Sequence, residues 1–191
     1  MTFYTYLDSA LGRILLISNG CEVTGLYFVG QKHAAMPASD WLPQTRAAPF
    51  ARARTELAQY FAGKRMRFDV PLAPSGTAFQ TRVWQALGAI PWGATTTYKE
   101  LAQSLGAPRS VRAVAAAVGR NPIAVVVPCH RVIGSDGSLT GYAGGLERKR
   151  ALLELEGGFL CARVAACETG LVAQDAVRSR AVSAASRHPR N

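Results

Sequence analysis

Two short patterns near the middle of the chain constrain its fold more than any other feature of the sequence. Gln80 stands three residues after Thr77, and the same spacing separates Glu100 from Thr97. This is the spacing of a capping box, in which the two side chains satisfy free backbone amides at the start of a helix. Each pattern therefore predicts a helix, and apolar residues at helical spacing extend the first helix as far as Pro91.

The second of these helices is predicted to be the first half of a helix-turn-helix. It runs to Leu105, and the sequence Gly-Ala-Pro at 106–108 then turns the chain. Ser110 can cap a further helix that ends at Val118, with Gly119 as its stop signal. Two short helices joined by a turn that contains glycine are typical of a helix-turn-helix.

The last helix of this pair carries almost no large side chains. Alanines occupy much of it and arginines bracket it: Ala113, Ala115, Ala116 and Ala117, with Arg109, Arg112 and Arg120. Because so little side-chain bulk intervenes, such a helix can lie very close to another surface. That surface is either the protein's own core or a polyanion, and the segment by itself leaves both readings open.

An apolar run that ends at a proline places a cysteine beside a histidine. The valines at 125–127 predict a buried strand, which stops at Pro128. Cys129 follows, and positive charge on His130 and Arg131 can stabilise its thiolate. Successive residues of an extended chain point to opposite faces, so we expect a water molecule to bridge the thiol and the imidazole. The alternative is a small cysteine packed in the core.

The first part of the chain is predicted to be a small sheet with one helix, and nothing in it carries chemistry. Three stretches are strand-like: 3–7, 13–18 and 22–28. Asn19-Gly20 predicts a tight turn between the last two, and 29–49 is predicted to be a loop. The helix that follows has one apolar face, formed by Phe50, Ala53, Leu57, Tyr60 and Phe61, before a cap at Gly63.

The region after this helix divides the chain. Residues 67–72 alternate like an edge strand, and the prolines and glycine of 71–76 mark a boundary. The predicted fold class is α+β. A small mixed α/β N-terminal domain covers 1–74 and scaffolds a mainly helical C-terminal domain over 75–159, which holds the helix-turn-helix and the cysteine. An extension over 160–191 is predicted to be mostly mobile, with a short helix near 171–184 as the alternative.

Composition limits the partners and cofactors. The 191 residues include 22 Lys and Arg against 12 Asp and Glu, a net charge of +10 that is spread along the chain. Such a charge favours a polyanionic partner over a merely solvated basic surface only when motifs support it. Four cysteines without framework spacing and three histidines predict neither disulfides nor a metal site. No signal sequence, membrane-spanning stretch or phosphate-binding glycine loop is apparent, so we expect a cytoplasmic protein without cofactors.

The order of motifs around the cysteine resembles that of the O6-alkylguanine-DNA alkyltransferases. Asn121-Pro122 precedes the apolar run, and Gly-Tyr-x-Gly-Gly at 141–145 and Leu-Leu-x-x-Glu-Gly at 152–157 follow it. The similarity is close over 77–157 and looser before it. It implies a DNA repair protein that flips out O6-alkylguanine, with O4-alkylthymine as a second candidate substrate, and transfers the alkyl group irreversibly to Cys129. Such a protein is consumed by one reaction.

The resemblance also implies contacts to the extruded base. It matches the Tyr98 hydroxyl to guanine N3, the main-chain carbonyls of Cys129 and Val132 to the exocyclic amine, and the Ala143 amide to O6. Tyr142 either lines this pocket or packs against Gly144. Without the resemblance, Tyr98 would be read as an ordinary core aromatic.

A relay from Glu156 through His130 and a water to the thiol is implied in the same way, with Asn121 bracing the active-site turn. In the relay the carboxylate fixes the imidazole tautomer and stabilises its cation. Taken alone, Glu156 would be a helix-surface acid paired with Lys149 or Arg150. Asn121 would then be a simple turn former.

Double-stranded DNA is the implied partner, held through the minor groove by a monomer. Arg112 is matched to an arginine finger, the alanines Ala113 and Ala116 permit close approach, and Arg109 and Arg120 suit phosphates. The minor groove has a poor base code, which suits repair at any sequence. Two alternatives remain: a cysteine hydrolase, which predicts no helix-turn-helix, and a module that binds the lesion without repairing it, which Cys129 argues against.

Overall fold

The N-terminal domain is a small sheet covered by a helix. The computed structural model describes residues 1–157. Its first elements are β1 (Phe3–Leu7), β2 (Ile14–Ser18), β3 (Val23–Phe28), β4 (Leu42–Pro43) and α1 (Ala48–Phe61). The sheet order is β3-β2-β1-β4, with antiparallel β1-β2 and β2-β3 pairs. The three predicted strands, the turn at Gly20 and the helix are confirmed, and every residue of β2 is buried.

Two predictions for this domain are wrong in detail. The predicted loop at 29–49 contains the short strand β4, which pairs in parallel with β1. The predicted edge strand at 67–72 is not a strand, and only Leu72 forms an isolated bridge to the sheet. The backbone amides of Asp69 and Val70 donate to the buried carboxylate of Glu56 at 2.8 and 3.2 Å instead. They are therefore not available for pairing with a neighbouring strand.

The C-terminal domain is mainly helical. Its elements are α2 (Ala78–Gly88), β5 (Thr96–Thr97), α3 (Tyr98–Ser104), α4 (Val111–Gly119), β6 (Val132–Ile133) and α5 (Leu146–Leu155). Both predicted capping boxes are present, at α2 and α3, and α3 and α4 form the predicted helix-turn-helix. The buried Trp84 indole of α2 donates to the Ala117 carbonyl at 3.0 Å, which holds α2 against α4.

The ends of α4 differ from the prediction. Ser110 occupies the N-cap position, but its side chain makes no capping hydrogen bond. Gly119 is the last residue of the helix, and Arg120 is the C-cap with φ −98° and ψ 12°. The Arg120 amide donates to the Ala117 carbonyl at 3.2 Å, so the helix includes Gly119, its predicted stop, and closes one residue later.

The segment before Cys129 is a turn, so the predicted strand at 125–127 is wrong. The segment contacts β3 only near its beginning, where Ile123 forms an isolated bridge with Leu26. There the Ala124 amide donates to the Leu26 carbonyl at 2.9 Å. The chain then reverses, because the Val127 amide donates back to the Ile123 carbonyl at 3.0 Å. Val125 adopts a left-handed φ of 69°, which a β-branched residue rarely does.

Cys129 itself lies in a short 3₁₀ turn, Cys129–Arg131, and not in the extended chain that the opposite-face argument assumed. The turn leads directly into β6, which pairs in parallel with β5. Within residues 1–157, no helix is long and apolar enough to cross a membrane. The predicted extension over 160–191, including the alternative helix near 171–184, lies outside the described residues.

Candidate active site

Cys129 is a buried thiol held by an amide. It is 5% exposed, and its Sγ accepts a hydrogen bond from Asn121 Nδ2 at 3.1 Å. Burial raises the pKa of the thiol, while the Asn121 hydrogen bond and the charge of Lys149 act in the opposite direction. Because the net pKa is raised, the group is a neutral thiol that needs a base before it can attack.

The Asn121 side chain is the centre of the turn that carries this thiol. Its Nδ2 also donates to the Val127 carbonyl at 2.8 Å, and its Oδ1 accepts from the Ile123 amide at 3.0 Å. These contacts explain why the valine segment folds back and does not continue as a strand. The Asn121 side chain therefore connects the turn to the thiol through hydrogen bonds.

His130 faces away from solvent and contacts Glu156. The two side chains are fully buried, with His130 Nε2 and Glu156 Oε1 2.9 Å apart. Burial lowers the pKa of His130, which is therefore neutral. Burial alone would raise the pKa of Glu156, but hydrogen bonds from His130 and Arg131 lower it to about 2. An ionised Glu156 requires the proton of neutral His130 on Nε2, and this leaves Nδ1 as the basic nitrogen.

The Nδ1 atom of His130 is buried and has no hydrogen-bond partner among the described residues. A buried nitrogen of this kind ordinarily has a partner, supplied by the protein or by water. It is therefore suited to accept a proton through a water molecule, as the sequence-based relay supposes.

Two further residues hold the Glu156 carboxylate, and sequence reasoning missed both roles. Arg131 donates to Glu156 through Nε at 2.7 Å and through Nη2 at 2.9 Å, and the Tyr60 hydroxyl donates to Oε1 at 2.6 Å. Arg131 thus pairs with the carboxylate, whereas its position beside Cys129 in the sequence had suggested that its charge stabilises the thiolate. Lys149 and Arg150, the alternative partners of Glu156, make no ion pair with it. The sequence does contain a signal for the role of Tyr60. This residue belongs to the apolar face of α1, and the hydroxyl of a buried tyrosine needs a hydrogen-bond partner.

Lys149 is a buried cation behind the site. It is 0% exposed, and its Nζ donates to the carbonyls of Val132 at 2.5 Å and Thr140 at 2.6 Å. Burial lowers its pKa to about 8. Lys149 thereby joins α5 to β6 and to the loop before 141–145, and it binds the carbonyl of Val132 that the family resemblance matched to the guanine amine.

A cleft of about 400 Å³ lies beside these residues. It is lined by Lys32, His33, Tyr98, Ala115, Gly119, Thr140, Gly141, Tyr142 and Ala143. Burial raises the pKa of both the Tyr98 and the Tyr142 hydroxyl, and the charge of Cys129 acts in the same direction. Three residues that the resemblance assigned to the base pocket, Tyr98, Tyr142 and Ala143, therefore line one cavity. Such a cavity can receive a planar base.

Tyr98 and Tyr142 differ in their hydrogen bonding. The Tyr98 hydroxyl lies 3.3 Å from the carbonyl of Gly141, whereas the buried Tyr142 hydroxyl has no partner in residues 1–157. Tyr142 fulfils both of the roles considered from the sequence. It lines the cleft, and it packs on Gly144, where an added Cβ would lie 2.7 Å from its ring.

Helix α4 presents two different faces. Val114, Ala117 and Val118 are buried against the rest of the domain. The predicted DNA-binding residues all lie on the open side and are exposed: Arg109, Arg112, Ala113, Ala116 and Arg120. The alanine-rich helix thus uses one face for the core and leaves the other, flanked by arginines, open to a partner. No cluster of His, Cys, Asp and Glu suited to a metal ion occurs in the described part of the chain.

Comparisons with known proteins cover both domains. Residues 2–74 match the family described as 6-O-methylguanine DNA methyltransferase, ribonuclease-like domain, and residues 78–158 match its DNA binding domain. A methylated-DNA–protein-cysteine methyltransferase of Methanosarcina barkeri is 51% identical over 155 residues, covering 81% of this chain and 96% of the relative. The protein of that name from Haemophilus influenzae is 45% identical, covering 81% and 86%. The crystal structure of Mycobacterium tuberculosis OGT in complex with DNA is 48% identical with a TM-score of 0.76, covering 82% of this chain and 94% of that one.

Proposed function

This chain belongs to the 6-O-methylguanine DNA methyltransferase family, and we propose that Cys129 is the residue to which it transfers the alkyl group. It is a DNA repair enzyme that binds DNA and moves an alkyl group from guanine to its own cysteine. The observation that carries the assignment is the buried network in which Asn121 donates to the thiol and Glu156 contacts His130. By contrast, Cys21 is exposed.

The proposed reaction is an SN2 transfer. The Cys129 sulfur forms a bond to the alkyl carbon while the bond from that carbon to O6 of guanine breaks. The thiol proton passes through water to His130 Nδ1, and Glu156 stabilises the resulting imidazolium. Tyr98 donates a hydrogen bond to N3 of the departing base, which finally takes up the proton. The thioether has no route back to a thiol, so each protein molecule reacts once.

Base flipping follows from the position of the thiol. In duplex DNA the O6 atom belongs to a stacked and paired guanine and faces the major groove, where the buried Cys129 cannot reach it, so the nucleotide must leave the helix. In the cleft, the carbonyls of Cys129 and Val132 would accept from the exocyclic amine and the Ala143 amide would donate to O6. Tyr142 would form part of the wall.

The proposed DNA interface is the open face of α4 in the minor groove. Ala113 and Ala116 allow the helix to approach the groove, and Arg112 fills the space of the extruded base. Arg109 and Arg120 bind phosphates.

A monomer suffices because all proposed residues lie in one chain, and a reducing compartment such as the cytoplasm keeps the thiol active. The helix-turn-helix also argues against the hydrolase alternative.

Intact-mass analysis tests the nucleophile. After incubation with duplex DNA that contains one O6-methylguanine, we expect a single added methyl on the peptide with Cys129. Cys129→Ser should keep DNA binding and lose transfer. A methyl on Cys21, Cys161 or Cys167, or turnover well beyond one reaction per protein, would overturn the assignment.

Two substrates test the arginine finger. Arg112→Ala should slow repair in duplex DNA strongly and affect free O6-benzylguanine much less, because a free base needs no extrusion. Arg109→Ala and Arg120→Ala should instead weaken binding to any sequence and lower the salt dependence by about one phosphate contact each. Equal impairment of Arg112→Ala on both substrates would assign this residue to the pocket or the fold.

A further inference from the structure

One wall of the cleft comes from the N-terminal domain, which the sequence predicted to be only a scaffold. Lys32 and His33, just beyond β3, line the cleft together with Ala115 and Gly119 of α4. The Lys32 amide donates to the carbonyl of Ala143 at 3.0 Å, which joins this loop to the loop that holds the base pocket. The N-terminal domain therefore takes part directly in the shape of the site.

The loop that carries these two residues has a fixed conformation. Gln31 is 8% exposed, its side-chain Oε1 accepts from the Phe28 amide at 2.9 Å, and its own amide donates to the Phe28 carbonyl at 3.1 Å. His33 adopts a left-handed φ of 60°, a conformation that few residues other than glycine adopt. These features set the backbone of Lys32 at the mouth of the cleft.

The side chains that line the cleft include a cation but no acidic group. Seven of the nine lining residues are neutral Tyr, Thr, Ala and Gly, and the remaining two are Lys32 and His33. No acidic side chain lines the cleft. The Lys32 side chain is exposed, and within residues 1–157 its ammonium group makes no ion pair or hydrogen bond. An anion at this mouth would therefore meet one uncompensated cation.

A nucleotide that enters the cleft brings such an anion with it. When the base lies between Tyr98 and Ala143, its sugar and flanking phosphates stay at the mouth, because they remain joined to the DNA strand. We propose that Lys32 binds a phosphate beside the extruded nucleotide, so that the N-terminal domain completes the nucleotide site. This inference rests on the proposed function of the cleft. It adds a phosphate contact from the N-terminal domain to those proposed for the region of α4.

A charge-removal cycle tests the contact. Single-turnover transfer is measured below saturation on two duplexes with one O6-methylguanine, one with natural linkages and one with neutral methylphosphonates on both sides of the lesion. Lys32→Gln is compared with Lys32→Arg and with Lys64→Gln, an exposed lysine beyond α1 that does not line the cleft. The Lys32 amide keeps its bond to Ala143 in each variant.

On the natural duplex we expect Lys32→Gln to slow transfer about two- to fivefold, as for loss of an exposed ion pair. The methylphosphonates should slow the wild type and Lys64→Gln by a similar factor, and should slow Lys32→Gln little further. Lys32→Arg should behave as wild type. Free O6-benzylguanine should react equally with all four proteins.

Additive losses in Lys32→Gln, or an equal loss in Lys64→Gln, would overturn the phosphate contact. Slower reaction of Lys32→Gln with free O6-benzylguanine would also overturn it, since the residue would then support the base pocket. Failure of the proposed function gives a different result, because the wild type would then react with neither substrate.

Discussion

Two buried glutamates, one in each domain, show how the same residue type serves different purposes. Glu56 of α1 is 3% exposed, and it accepts from the amides of Asp69 and Val70 and from Arg52. Glu156 is 4% exposed, and its partners are side chains: His130, Arg131 and Tyr60. The first glutamate fixes backbone, whereas the second fixes an imidazole.

The chemical difference lies in what the partners can do next. Backbone amides do not titrate, so the network around Glu56 only holds the segment before the domain boundary in place. His130 can gain a proton on Nδ1, next to the candidate nucleophile, and the charge of Glu156 stabilises that state. A buried carboxylate is therefore informative about function only when one of its partners is itself reactive.

The largest expected effect is on the rate of alkyl transfer, which should depend on the network around Glu156 and not on the network around Glu56. His130→Ala and Glu156→Gln should each slow single-turnover transfer by about 100- to 10,000-fold, as is typical for loss of a general base. The double variant should lose little more than either single variant, because the two groups act as a unit. Glu56→Gln should transfer at the wild-type rate. Unchanged rates in folded His130→Ala protein would exclude the relay.

Stability sharpens the same comparison. Glu156→Gln leaves the buried Arg131 without its counter-charge, so we expect a loss of about 3–5 kcal/mol in the free energy of unfolding. Glu56→Gln should lose about 1–3 kcal/mol, because the side chains of Arg52 and Arg65 are 53% and 24% exposed and stay solvated. Denaturant unfolding of both variants measures the difference. A larger loss in Glu56→Gln would reverse the assignment of the two networks.

Acid titration tests the ionised state of Glu156. Its pKa is lowered from 4.5 to about 2 in the folded protein. A carboxylate whose pKa is lower in the folded than in the unfolded protein stabilises the fold at any pH above the unfolded pKa. The stabilisation by Glu156 should therefore be complete above pH 4.5 and be lost as the pH falls towards 2. The difference in unfolding free energy between wild type and Glu156→Gln should shrink in that window. A difference that does not change with pH would mean that Glu156 is not ionised in the fold.

The smallest expected effect concerns the missed residue, Tyr60. Tyr60→Phe removes one hydrogen bond to Glu156 and leaves those of His130 and Arg131, so we expect a loss of about 1 kcal/mol in stability. The transfer rate should fall less than tenfold, because the imidazole keeps its orientation. Thermal unfolding and single-turnover rates measure the two effects. A rate loss as large as that of Glu156→Gln would make Tyr60 an essential member of the relay.

The sequence by itself determined the elements that depend on local interactions. The capping boxes at Thr77 and Thr97 lie within one helical turn of their partners, so both helices and the helix-turn-helix were predictable. The apolar run of β2, the tight turn that precedes β3 and the apolar face of α1 are local patterns as well. The motif order around Cys129 identified the family, and it named His130, Glu156 and Asn121 before their contacts were known.

Only the tertiary structure decided how distant segments combine. The valines at 125–127 have strand propensity, yet Asn121 and the edge of β3 bend them into a turn, because those hydrogen bonds outweigh a preference of about 1 kcal/mol or less. The partners of Glu156 include Tyr60, 96 residues away, and the cleft includes Lys32 from the other domain. Periodicity and capping report the environment of a residue within a few positions. They carry no information about which distant side chain fills the space that folding brings beside it.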